Sequence, residues 1–149
     1  MAEENKATSR RFYEELFTQG NLDAAEEIVT PDFVIHDPNI PQEPRGPESL
    51  KQSVTRYRNV FPDLNFTIEE QIAEGEKVGT RWVADGTHQG ELMGIAPRGN
   101  RVTVRAFTLQ RLLQRFSGGK IAEDWAHYDA LGMMRQIGAI PEPGQEARG

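Results

Sequence analysis

The hydrophobic period of this chain changes once, and that change constrains its fold more than any other feature. Up to Phe61 the apolar residues recur at three- and four-residue steps, and after Pro62 they alternate. The first pattern puts an apolar stripe on a helix; the second puts an apolar face on a strand. Helices followed by a meander of strands read as an α+β fold, in which the helices cover one face of an antiparallel sheet.

Ala7, Phe12, Leu16 and Phe17 mark a first helix from Glu3 to Phe17, closed by Gln19-Gly20. Asn21 suits the cap of a short second helix carrying Leu22, Ala25, Ile28 and Val29, which Thr30-Pro31 stops. From Phe33 to Gly46, Pro38, Pro41 and Pro44 predict a restricted, extended loop rather than a regular element. Pro47 opens a third helix with Leu50, Val54, Tyr57 and Phe61 on one side, and Pro62 ends it.

In the second part, Phe66, Ile68 and Ile72 form one strand, and Glu74-Gly75-Glu76 turns it into another bearing Val78, Thr80, Trp82 and Ala84. A Gly/Pro-rich stretch, GTHQGELMGIAPRGN, leads to a long strand from Arg101, and Ser117-Gly118-Gly119 leads to a last one through Asp129. On the long strand the apolar residues shift from even positions (Val102, Val104, Ala106) to odd ones (Phe107, Leu109, Leu113), which predicts a β-bulge. A strongly curved sheet closed off by helices makes a cone with a pocket inside. A single domain over 1–140 is expected, with a disordered tail at 141–149.

At 149 residues and 37% hydrophobic composition, one core is the natural reading. A formal charge of −6 argues against a polyanionic partner, since nucleic-acid affinity rests on massed Lys and Arg. With no cysteine, thiolate chemistry, disulfides and Cys-bound zinc are excluded. No stretch approaches the ~18 apolar residues of a membrane span, and the N-terminus has no apolar signal core, so a cytoplasmic protein without membrane partners is expected.

Alternation places Trp125, His127 and Asp129 on one face of the last strand. Were that face concave, Asp129 would end an apolar pocket, where desolvation raises a carboxyl's pKa and suits it to acid/base work. Asp129 equally suits the N-cap of a helix beginning at Ala130. His88 shares parity with Trp82 and can reach the same cavity from its rim, or serve as an ordinary loop residue. His36-Asp37 precedes Pro38, where an Asx turn competes with an acid-base or metal pair. No HExxH or other ligand spacing is present, so no metal is expected.

The run GTHQGELMGIAPRGNRV, followed by GKIAEDWAHYDALGMMRQIG, resembles the SnoaL-like polyketide cyclase (ester cyclase) family of the nuclear-transport-factor-two-like superfamily. The resemblance extends from TQGNLDAAEEIVTPDFVIHDP to Gly138, and the closing D-x-x-G-x-x-R-Q-[IL]-G is its most specific part. It implies a cone-shaped α+β barrel with an apolar pocket, assembled as a homodimer or homotetramer. It also implies intramolecular aldol ring closure of a polyketide ester, with neither metal nor organic cofactor. The family's key carboxylate falls on Asp129, with capping as a second use of that residue, and its rim histidine falls on His88.

Trp125, His127, Trp82, His36, Arg115, Phe17 and Met93 are expected to contact a small apolar, carbonyl-bearing substrate. Arg115 stands where such cyclases carry a His, and Phe17 where they carry a Tyr. A guanidinium can stabilise an enolate electrostatically but does not shuttle a proton at pH 7. Two other readings share the fold: a non-catalytic small-molecule binder, and an isomerase or hydrolase. The last needs a second pocket acid, for which Asp85 has the wrong parity relative to Trp82.

Overall fold

The structure, a computed structural model, describes residues 2–38, 45–92, 94–114 and 119–140. Helix α1 (Ala2–Arg11) carries Glu3 and Glu4 in its first turn and Arg10 and Arg11 in its last, matching the helix dipole. It runs without a break into a π-helical segment, Phe12–Thr18, closed by a five-residue step from the Gln19 N–H to the Glu14 carbonyl (3.0 Å). The wider winding turns two adjacent pairs inward, Phe12-Tyr13 and Leu16-Phe17. Arg58 donates to the Phe17 and Thr18 carbonyls at 2.8 and 2.7 Å, satisfying acceptors left open at the end of the segment.

A 3₁₀ turn (Leu22–Ala24) leads into α2 (Ala25–Ile28) and directly into strand β1 (Val29–His36). This strand was not expected. Pro31 reads as a stop, yet β1 lies at the sheet edge, where a missing N–H is tolerated, and Pro31 and Asp32 sit where its register shifts between Val29 and Val34. Positions 39–44 of the expected loop lie outside the described residues. Helix α3 (Gly46–Val60) has its proline in the first turn and buries Leu50, Val54 and Val60.

Strands β2 (Asn65–Glu74), β3 (Lys77–Thr87), β4 (Arg101–Leu113) and β5 (Lys120–Tyr128) form an antiparallel meander, to which β1 adds parallel to β5. The order is β1-β5-β4-β3-β2, so the sheet is mixed and open. The expected α+β cone is present, but the sheet does not close into a barrel.

The long strand carries the expected irregularity, but farther along than the change of phase after Ala106. β3 and β4 pair without interruption from Lys77↔Arg111 to Thr87↔Arg101, and the one irregularity on β4 falls against β5, between Arg111 and Leu112. Even positions face inward along the whole strand, where Val102, Thr108, Gln110 and Leu112 are buried. The apparent phase change arises because polar Thr108 and Gln110 occupy the inner face while Phe107, 45% exposed, sits on the outer one.

The core forms where the π-helical segment meets the sheet. Phe66 and Trp82 have ring centroids 4.6 Å apart, and Tyr13 lies 5.8 Å from Phe66. Thr18 Oγ1 accepts from the Phe66 N–H at 2.9 Å, fixing the segment to β2.

Helix α4 (Ala130–Ile137) buries Met133 and Ile137. Asp129 caps it, with Oδ1 accepting from the Gly132 N–H at 2.8 Å. Gln136 clamps it to β4: its Oε1 accepts from the Thr103 N–H at 2.7 Å and its Nε2 donates to the Thr103 carbonyl at 2.8 Å. Gly138 ends the helix at φ 86°, in the left-handed region. Asp129→Ala is expected to lower the unfolding free energy by about 1 kcal/mol, with Asp129→Asn largely neutral because Asn caps as well. Urea denaturation of the two variants checks this, and equal losses in both would remove capping as the reason.

Candidate active site

Between the helices and the concave face of the sheet lies a cavity of about 150 Å³. Its walls are mostly aromatic and aliphatic: Phe12, Tyr13 and Phe17 from the π-helical segment, Tyr57 from α3, Phe66 and Trp82 from the hairpin, and Met133 from α4. The sheet contributes the inward parity of β4 and β5, namely Val102, Val104, Thr108, Asp124, Ala126 and Tyr128.

Asp124 is the carboxylate this geometry singles out. It is 3% exposed, and Gln110 Nε2 donates to its Oδ2 at 2.7 Å. Burial pushes the Asp124 carboxyl up to about 7. The Gln110 hydrogen bond opposes that rise, the Asp37 charge adds to it, and His36 opposes it. Tyr13, from the facing wall, is wholly buried, and burial together with the Asp124 charge holds its phenol well above the usual range. Thr108, Thr80 and Trp82 pull the other way by less, and none meets the Tyr13 hydroxyl in hydrogen-bonding geometry. A carboxyl that titrates near neutrality therefore sits beside a phenol that stays protonated.

The neighbouring acid behaves in the opposite way. Glu123 points to the convex face, where it accepts from Arg111 Nε at 2.7 Å and pairs with His36 Nε2 at 2.9 Å. The His36 contact, with help from Arg111, holds Glu123 below the ordinary carboxylate range. Adjacent strand positions thus give one acid a paired, half-exposed setting and the other a desolvated one.

The expected face of β5 is the convex one. Asp129 and His127 are exposed there, and Trp125 stacks on His36 with centroids 5.4 Å apart. Asp129 is thus a helix cap and lies outside the cavity wall, contrary to the expectation that it ends the pocket. His36 likewise belongs to the convex-face cluster. His88 is fully buried but does not line the cavity: it packs behind Phe61, centroids 6.0 Å apart, and neither ring nitrogen has a partner among the described residues. Trp82 and Phe17 do line the cavity. Arg115 and Met93 lie outside the described residues.

Sequence reasoning missed Asp124, Tyr13 and Gln110. Asp37, which the sequence offers either as a turn residue or as half of an acid-base or metal pair, is 8% exposed and borders the cavity, and Asp85 borders it despite its parity. One signal was available. Asp124 alternates with Ala122 and Ala126, a small apolar set, whereas Glu123 and His127 share the other parity with Trp125 and make the more polar face. Among the described residues no group of three or more His, Asp or Glu is placed to hold a metal ion, and no helix is long and apolar enough to cross a membrane.

An open cone of this kind, with helices over its concave face and a desolvated acid inside, defines an α+β domain of the nuclear-transport-factor-two-like type. The model of the SnoaL-like polyketide cyclases matches residues 7–137, and the chain belongs to that family. It is 31% identical to aklanonic acid methyl ester cyclase AcmA of Streptomyces galilaeus, over 97% of each chain. A protein of Jannaschia sp. CCS1, assigned as a SnoaL-like polyketide cyclase, superposes with a TM-score of 0.82 at 27% identity, covering 94% of this chain and 95% of that one. IdmH of Streptomyces antibioticus, assigned as a polyketide cyclase, gives 0.74 at 30% identity, covering 90% and 98%.

The Asp124 environment has a measurable consequence for stability. Its folded-state value lies above the ordinary aspartate value of ~3.9, so the folded protein binds the extra proton between there and about 7. Wild-type stability contributed by this group is therefore full in acid and is lost as pH rises to about 7. Asp124→Asn should not share that loss. Its stability advantage over wild type is expected to grow by a few kcal/mol between pH ~4 and ~7 and then level off. Denaturant titrations across that range decide the matter, and a pH-independent difference would contradict the burial account.

Proposed function

We propose that the protein is a cofactor-independent cyclase in which Asp124 is the acid/base of an intramolecular aldol closure. The placement of this carboxyl, desolvated within an aromatic cavity, carries the reading. The ionised carboxylate takes a proton from the carbon next to a carbonyl, breaking that C–H bond and leaving an enolate. The enolate carbon attacks a second carbonyl of the same molecule and forms the ring C–C bond. The proton held on Asp124 then returns to the new alkoxide, so nothing is consumed. The aromatic walls suit a flat, conjugated substrate and exclude water that would quench the enolate.

AcmA is named for its action on aklanonic acid methyl ester, and that compound is the first substrate to try. Asp124→Asn is expected to lower kcat by roughly 10²–10⁴-fold with little change in KM. The wild-type kcat/KM should rise with pH through about 7 as the base ionises. Normal turnover by Asp124→Asn would remove the proposal and leave a pocket that only binds.

One observation favours a second reading. Asp37 and Asp124 border the same cavity, and the Asp37 charge adds to the cost of ionising Asp124, an arrangement that paired acids use to position a water. A hydrolase of that kind incorporates solvent oxygen into its product; a cyclase does not. Mass spectrometry of reactions run in ¹⁸O-water separates the two.

We also propose that a second copy of the chain covers the convex face. Ile72, Gly79, Leu109, Trp125 and His36 lie opposite one another in register across the sheet, and Ile72 is 61% exposed. The charges beside this row are already paired within the chain, Arg81 with Glu69 at 2.9 Å and Arg111 with Glu123 at 2.7 Å, so covering them strands no lone ion. Light scattering should give at least twice the chain mass, reduced to one chain by Phe107→Glu, and a monomeric wild type would refute the docking.

A further inference from the structure

The two oxygens of Asp124 are not equivalent. Oδ2 accepts from Gln110 Nε2 at 2.7 Å, and Gln110 Oε1 in turn accepts from Ser9 Oγ at 2.5 Å. Ser9 and Gln110 are each 0% exposed, one on the sheet-facing side of α1 and the other on the inner face of β4. A side-chain amide presents a donor at one end and an acceptor at the other, and its partners decide which way it points. The Ser9 contact is at the short limit for O–H···O and below the usual N–H···O range, so the hydroxyl meets the amide oxygen. The amide N–H is thereby turned toward the carboxyl.

We propose that Ser9 is a positioning residue: by donating to Gln110 it holds the amide N–H on Oδ2 of Asp124 and leaves Oδ1 to take and return the proton. This rests on the reading of Asp124 as the acid/base. The relay also decides which protonation state the carboxyl prefers. With the amide N–H on Oδ2, the ionised carboxylate is satisfied; with the amide reversed, its oxygen pairs only with the protonated acid. Ser9 is the residue that makes the first arrangement the stable one. The other titratable groups acting on Asp124 are Asp37 and His36 at the end of β1 and Tyr13 on the π-helical segment, and a change at Ser9 alters the charge of none of them.

The test is a carboxyl-carbon NMR titration of Asp124, assigned with Asp124→Asn, in wild type, Ser9→Ala and Ser9→Thr. Ser9→Ala should raise the midpoint, so that at the wild-type midpoint the protonated fraction exceeds the ionised one by roughly three- to tenfold. Ser9→Thr keeps the hydroxyl and should restore the wild-type curve. Should the alanine variant not fold, Ser9→Cys keeps the size, loses most of the donor strength and carries the same expectation. An unchanged or lowered midpoint in folded Ser9→Ala, or in folded Ser9→Cys, overturns the relay. No substrate is needed, so this outcome is separate from the cyclase reading: an inactive Asp124→Asn with an unmoved Ser9→Ala curve sinks only the relay, and the reverse pair sinks only the cyclase.

Discussion

An open sheet curved around a cavity must have its concave face covered by something else, and here the cover is the π-helical segment Phe12–Thr18. The segment buries two adjacent pairs, Phe12 with Tyr13 and Leu16 with Phe17. Those pairs span from β1, through the Phe12–Phe33 contact at 6.1 Å, to the β2–β3 hairpin, through Tyr13 and Phe66. The cavity walls, the burial of Asp124 and the inward aim of the Tyr13 phenol all depend on this seating. Arg58 and Thr18 fix its end, by bonds to the Phe17 and Thr18 carbonyls and from the Phe66 N–H.

The chemistry follows from alternation on a single strand. Glu123 and Asp124 are neighbours in sequence with the same functional group, yet one is held below the ordinary carboxylate range by His36 and Arg111 and the other is desolvated. No cofactor or unusual residue is needed to separate them; the pleat does it. Polar side chains on the inner face would ordinarily weaken a core, and Thr108 and Gln110 escape that cost by being paired, with Trp82 Nε1 donating to Thr108 at 2.9 Å and Ser9 donating to Gln110. The same pairing keeps Asp124 from being an isolated buried acid.

The helices, the hairpin and the long strand were legible because each rests on a local period with a clear stop: Pro47 and Pro62 around α3, Gly75 between β2 and β3. β1 was not legible, because its proline and aspartate report a bulge at a sheet edge rather than the end of a strand. The site was legible only in part. Trp82 and Phe17 line the cavity, but which parity of β5 faces inward is a tertiary fact. The parity that carries Trp125 looks apolar because its aromatic residue sits on the convex face. The inner parity looks weak because Ala122 and Ala126 are small and leave room for the cavity. A one-residue error of face exchanges Asp129 for Asp124, and with it a helix cap for a buried acid.

That exchange also explains what the most recognisable motif does. In D-x-x-G-x-x-R-Q-[IL]-G, Asp129 caps α4, and Gly132 lets it come close, since a Cβ there would run into Asp129 Oδ2. Gln136 clamps the helix to Thr103, Ile137 is buried, and Gly138 supplies the left-handed stop. Every named position except Arg135 thus acts in seating α4. The motif reaches the cavity only through Met133, which that seating places in its wall. A sequence pattern this specific therefore reports how the cone is closed, while the buried carboxyl of Asp124 lies a few positions earlier, in a run whose face only the sheet decides.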